Sequence, residues 1–154
     1  MCIRDRKYAD LSNDRVKDYV FDWDRMLAFE GNTGPYLQYA HARIRSIFRR
    51  AEVDAASLTA TDVVIGEPAE RALALELLGL PEVVEAVVET LQPHRLATYA
   101  FEVAQTFTSF YEQCPVLRAP DEATRTSRLA LCEVTARTIA RCLDLLGIEA
   151  PDRM

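Results

Sequence analysis

The positions of proline relative to apolar spacing constrain this chain most. Pro35, Pro68, Pro81, Pro93, Pro115 and Pro120 all stand at the edges of segments whose apolar residues recur every three or four positions, and none falls inside one. Proline lacks an amide hydrogen and has a fixed φ, so it suits the first turn of a helix and breaks an interior. The chain is thereby cut into helical units with known starts. From Pro35 the stripe is Leu37, Ala40, Ile44, Ile47, Phe48 and Ala51. Glu67-Pro68 opens a short helix ending at Leu78-Gly79, and Pro81 opens another carrying Val83, Val84, Val87 and Leu91. Pro93 begins a long helix with the stripe Leu96, Ala100, Val103, Phe107, Phe110 and Cys114, flanked by Phe101, Ala104, Thr108 and Tyr111, and Pro115 stops it. Asp121 is the expected N-cap of the last helix, whose stripe is Leu129, Cys132, Ala136, Ile139, Leu143 and Leu146. Gly147 followed by Ile148 predicts a Schellman stop, with Ile148 packed back on Leu143. Short connections between amphipathic helices, without an internal repeat, describe an all-α bundle.

Two stretches fall outside that pattern. Glu52 to Gly66 is rich in Ala, Ser, Thr and Asp and reads as a connecting loop. Near the start, Met1 to Arg6 has no clear period, and Ala9-Asp10-Leu11-Ser12-Asn13 reads as a helix stop or turn. Tyr19 to Asp24 alternates aromatic or β-branched residues with acids, the period of a short extended segment. A lone strand is not stable by itself, so this one needs neighbours.

Charge decides which partners are plausible. Eighteen Lys plus Arg stand against 24 Asp plus Glu, a net −6, which argues against a general nucleic-acid coat built on global charge and requires any RNA site to be local. Arg43, Arg45, Arg49 and Arg50 cluster on one helix, whereas Asp54 to Glu89 is mostly acidic and apolar. A solvated helix face explains that cluster equally well on composition alone. Apart from Lys7 and Lys17, all the positive side chains are arginine, which favours planar contacts to phosphates or bases. Four cysteines show no CxxC pair and no His at metal-ligand spacing, so a reducing, cytoplasmic setting is the default and no metal site is expected. No apolar run approaches the roughly 20 residues that span a bilayer.

Catalytic signatures are missing. His41 and His94 lack a Cys or Ser neighbour at a recognised spacing, and Gly31 and Gly34 are not followed by Lys-Ser or Lys-Thr. The segment Glu30 to Arg45 offers more: a Gly/Asn/Pro loop runs into a helix carrying Tyr36, Gln38, Tyr39, His41, Arg43 and Arg45. Aromatic faces beside guanidinium groups suit a polyanion with stackable bases, which points to RNA. Partly buried tyrosines with satisfied hydroxyls are the slightly favoured alternative for Tyr36 and Tyr39. A second candidate surface joins Tyr111, at the end of its helix, to Arg153-Met154.

At these residues the sequence resembles the arginyl-tRNA synthetases. Met26 to Ile44, Pro93 to Val116, and Arg128 through Gly147-Ile148 to Arg153-Met154 are similar to that family's blocks in the same order. The resemblance implies a class I synthetase in which residues 30–154 are the all-α, DALR-type anticodon-binding domain. Residues 1–29 would be the end of the catalytic domain and its junction, with 1–6 a non-native scar. It further implies that Tyr111 and Met154 contact anticodon bases, that Arg128 assists, and that Arg43, Arg45 and Arg49 meet phosphate. Asn32, Tyr36, Gln38 and Tyr39 would form the domain junction. The implied partner is tRNA(Arg), with neither DNA nor membrane, and the parent enzyme is a monomer that joins L-arginine to tRNA(Arg) using ATP with magnesium. Neither a HIGH-type nor a KMSKS-type signature is present, so no cofactor is expected in this segment and the chain alone is expected to be inactive. The alternative is a stand-alone helical protein-interaction module whose apolar stripes bind a partner helix.

Overall fold

In the computed structural model, which describes residues 3–18, 22, 24, 28, 30–58 and 63–154, every proline but Pro151 stands at or next to a helix end. The helices are α1 (Ile3–Ser12), α2 (Gly34–Ala51), α3 (Pro68–Leu78), α4 (Leu80–Thr90), α5 (His94–Gln113) and α6 (Glu122–Leu145), with a 3-10 turn at Ala55–Leu58. No strand occurs among the described residues. Pro35, Pro68 and Pro81 occupy the first turns of α2, α3 and α4, Pro93 is the N-cap of α5, and Pro115 follows its C-cap, Cys114. The extended segment expected at Tyr19 to Asp24 lies, Asp22 and Asp24 apart, outside the described residues.

Local chemistry closes the ends. Thr33 Oγ1 accepts from the Tyr36 amide at 3.2 Å and caps α2; Asp121 Oδ1 accepts from the Thr124 amide at 2.8 Å and caps α6. Past α6, Gly147 takes φ +67°. Its amide donates to Asp144 O and that of Ile148 to Leu143 O, both at 2.8 Å, which is the Schellman pattern. Ile148 is buried in the same apolar cluster as Leu143. The stripe expected on α4 is shorter than its spacing suggests. Leu91 is the left-handed C-cap at φ +55°, which swings its side chain off the helix face and leaves it 63% exposed.

α5 is the central element and packs against α1, α2, α3, α4 and α6. Its whole stripe, Leu96, Ala100, Val103, Phe107, Phe110 and Cys114, is buried. It meets Leu37, Ile44, Ile47 and Phe48 of α2 and Leu129, Cys132, Ala136, Ile139 and Leu143 of α6 in one cluster. Each large side chain so buried contributes about 1.5–3 kcal/mol. α1 forms despite its lack of period, because tertiary contacts hold it. Tyr8 is 1% exposed, and its hydroxyl donates to Asn32 Oδ1 and sits 3.2 Å from Ala97 O. Lys7 Nζ donates to Gly147 O at 2.8 Å, linking α1 to the turn after α6.

Candidate nucleic-acid interface

α2 carries different chemistry along its two flanks. One flank holds Tyr36, Tyr39, Arg43 and Arg50, spaced to fall along a single edge of the helix. Tyr36 makes an edge-on contact with Phe101 of α5, with ring centroids 5.5 Å apart, so it serves helix packing. Tyr39 is 48% exposed. Arg43 places its guanidinium carbon 4.9 Å from the centre of the Tyr111 ring, and Tyr111 in turn stacks on Phe107 at 6.0 Å and 27°. A cation over a ring at a partly wet site contributes roughly 0.5–1 kcal/mol. Among the described residues neither Arg43 nor Arg50 has an ion-pair partner. The outcome is an edge with two cations outside any ion pair among the described residues and a tyrosine ring in contact with both Arg43 and Phe107 before any ligand arrives.

The other flank holds Gln38, His41, Arg45 and Arg49, and it binds the segment after α6. Gln38 Nε2 donates to Glu149 O at 2.5 Å, His41 Nδ1 donates to Pro151 O at 3.0 Å, and Arg49 Nη1 donates to Asp152 O at 3.1 Å. Arg45 pairs with Glu133 Oε2 at 2.6 Å and with Asp152 Oδ1 at 3.6 Å. Its Nε faces His41 Nε2 at 3.4 Å, which fits the tautomer with the proton on Nδ1. Burial lowers the His41 pKa most; the Pro151 carbonyl opposes this, Arg45 adds to it, and Asp152 and Glu133 oppose it. Two residues beyond Asp152, Met154 is 58% exposed.

The expected RNA residues therefore separate. Arg43 and Tyr111 are in contact, whereas Arg45 and Arg49 hold the segment that leads to Met154. Arg128, expected to assist at the RNA, sits in the core. It is 6% exposed, its Nε lies 2.6 Å from Glu70 Oε1, and its Nη1 donates to Pro115 O at 2.9 Å. A buried carboxylate aligned on it draws it into the core. Of the expected junction residues, Asn32 accepts from Tyr8, Tyr36 meets Phe101, and Gln38 Oε1 accepts from Arg4 Nη1 at 2.7 Å. Tyr39 instead faces outward on the Arg43 flank, and Arg50 joins it there. Their spacing from Arg43 is the sequence signal that would have grouped them. Nothing local would have revealed the partner of His41, 110 positions away.

A helical bundle with such an edge has the build of a helical anticodon-binding domain. The family profile described as the DALR anticodon binding domain matches residues 37–154, and the chain belongs to that family. Its curated relatives are more specific. The arginine–tRNA ligase of Thermobifida fusca strain YX is 60% identical over 148 residues, covering 96% of this chain and 26% of the relative. That of Pasteurella multocida strain Pm70 is 51% identical over 148 residues, with the same coverage of 96% and 26%. Among solved structures, Thermus thermophilus arginyl-tRNA synthetase superposes with a TM-score of 0.88 at 40% identity, covering 98% of this chain and 26% of that one. The arginyl-tRNA synthetase of Plasmodium falciparum gives 0.90 at 33% identity, covering 99% and 27%. The chain thus spans about a quarter of the length of these relatives.

Proposed function

We propose that this chain binds the anticodon arm of tRNA(Arg) as the anticodon-binding part of a cytoplasmic arginine–tRNA ligase. The carrying observation is the Arg43–Tyr111 pair beside exposed Tyr39 and Arg50, which has no ion-pair partner among the described residues. An unstacked loop base stacks on that platform, while Arg43 and Arg50 meet the adjoining phosphates. Residues 30–154 form the binding domain, and residues 1–29 connect it to the catalytic domain of the parent enzyme. ATP, magnesium and L-arginine belong to that other domain.

Fluorescence anisotropy with a tRNA(Arg) transcript, repeated between 50 and 200 mM salt, tests the reading. Log affinity should fall with log salt by about 0.7–0.9 for each phosphate engaged. Tyr111→Ala should cost roughly 1–3 kcal/mol of binding. Salt-independent binding that Tyr111→Ala leaves unchanged would sink the assignment. The chain alone should show no arginine-dependent ATP–pyrophosphate exchange even with tRNA present, because neither adenylate-forming signature is in its sequence. Exchange above background would refute that statement.

A further inference from the structure

Segment 149–152 adds little to the core, since Glu149 and Asp152 are exposed and Ala150 and Pro151 are half-buried. Nevertheless α2 commits Gln38, His41, Arg45 and Arg49 to it, and Gln38 and His41 are only 4% and 2% exposed. Burying an amide and an imidazole is unfavourable unless each finds a hydrogen-bond partner. Here the partners are carbonyls of a segment that adds only Ala150 to the apolar cluster. Such an arrangement fixes a path. Gln38 is itself held by Arg4 of α1, and Arg45 by Glu133 of α6, so the anchors are tied to two further helices. From Asp152, the last anchored residue, about 7 Å of extended chain reaches Met154.

We propose that the Gln38–His41–Arg45–Arg49 edge is a positioning device that holds segment 149–152 in one conformation and so sets where the Met154 side chain meets the tRNA. The inference rests on the RNA reading above and on the base contact that the resemblance implies for Met154, but its mechanical half can be tested without RNA. A methyl-labelled sample of the whole chain, followed by NMR, reports the Met154 methyl group. His41→Leu removes the donor to Pro151, whereas His41→Asn keeps one close to the Nδ1 position. In the unaltered chain the Met154 signal should be dispersed, and Met154→Ala should weaken binding of a tRNA(Arg) transcript several-fold. In the His41→Leu background the signal should collapse to its random-coil position and Met154→Ala should cost nothing more; His41→Asn should restore both. Gln38→Leu, read the same way, serves if His41→Leu does not fold. An equal loss from Met154→Ala in both backgrounds would overturn the positioning role and leave the RNA reading standing. Absence of tRNA binding by the unaltered chain would overturn the RNA reading, and a Met154 signal indifferent to His41 or Gln38 would overturn the positioning device on its own.

Discussion

Replacing Arg128 separates a structural from an RNA-contacting role. Glu70 is 1% exposed and accepts from Arg128 Nε at 2.6 Å, from the Gly66 amide at 2.8 Å and from the Glu67 amide at 2.9 Å. Burial pushes its carboxyl pKa up, but Arg128 and the amides of Glu67 and Gly66 outweigh burial and hold it below the ordinary 4.5. Arg128→Met leaves a buried carboxylate without its counterion and Pro115 O without its donor. Breaking a buried pair from one side costs about 3–5 kcal/mol. Because Glu70 keeps two amide donors, the lower end applies, about 3 kcal/mol. Glu70→Leu strands the guanidinium and both amides together, so about 5 kcal/mol is expected. The double variant recovers only part of this, since the amides stay unpaired. Urea unfolding followed by circular dichroism at pH 7 gives the stability, and anisotropy under folding conditions gives the tRNA affinity. Arg128→Met should lower the first and leave the second unchanged. An unaltered urea midpoint combined with a tenfold loss of tRNA affinity would put Arg128 at the RNA and refute this account. The pH profile adds a signed test: a depressed carboxyl pKa supplies stability above 4.5 that is lost as pH falls through the folded value. Without Arg128 the carboxyl pKa is depressed less, so that loss on acidification should shrink.

His41 gives the next test. Its folded pKa lies below the ordinary 6.5, so its contribution is fully present above 6.5 and declines as pH falls through the folded value. Urea midpoints measured from pH 8 down to 5 should fall more steeply for the unaltered chain than for His41→Asn, and parallel profiles would contradict the assignment. Gly147→Ala places a Cβ at φ +67°, where an L side chain costs about 1–2 kcal/mol. The nearest atom is the flexible Lys7 Nζ at 3.1 Å, so the loss should come from the backbone and persist in Lys7→Ala/Gly147→Ala by thermal denaturation. Rescue by Lys7→Ala would instead identify a steric cause.

What was legible in the sequence is what a few adjacent residues decide. Asp121 caps α6, Gly147 and Ile148 end it, and the prolines open α2, α3 and α4, because each effect operates within one helical turn. The stripes of α5 and α6 were legible for the same reason, their period being a property of the helix itself. Arg128 was not, since its spacing on α6 is the same whether it meets solvent or Glu70, 58 positions earlier. α1 has no stripe to read; Tyr8 is fixed by groups at Asn32 and Ala97 that only the tertiary structure brings near. The candidate site divides in the same way. Arginine and tyrosine chemistry on α2 was visible, but the stacking of Arg43 on Tyr111 belongs to the α2–α5 interface.

The partition of cations on α2 also reconciles an acidic chain with an RNA-binding role. A net charge of −6 repels a polyanion at long range, so attraction has to come from cations that are unpaired and close to the contact. Arg45 is neutralised by Glu133 and Asp152, and Arg49 is hydrogen-bonded to the segment carrying Asp152; both therefore serve the path of that segment. Arg43 and Arg50, without ion-pair partners among the described residues, are the cations that the proposed reading assigns to phosphate. Had all four been free, the edge would attract any polyanion with little regard to its shape. With two engaged, the proposed binding leans more heavily on the ring of Tyr111 and on where Met154 sits, the groups that the proposal assigns to an unstacked base instead of a bare phosphate chain.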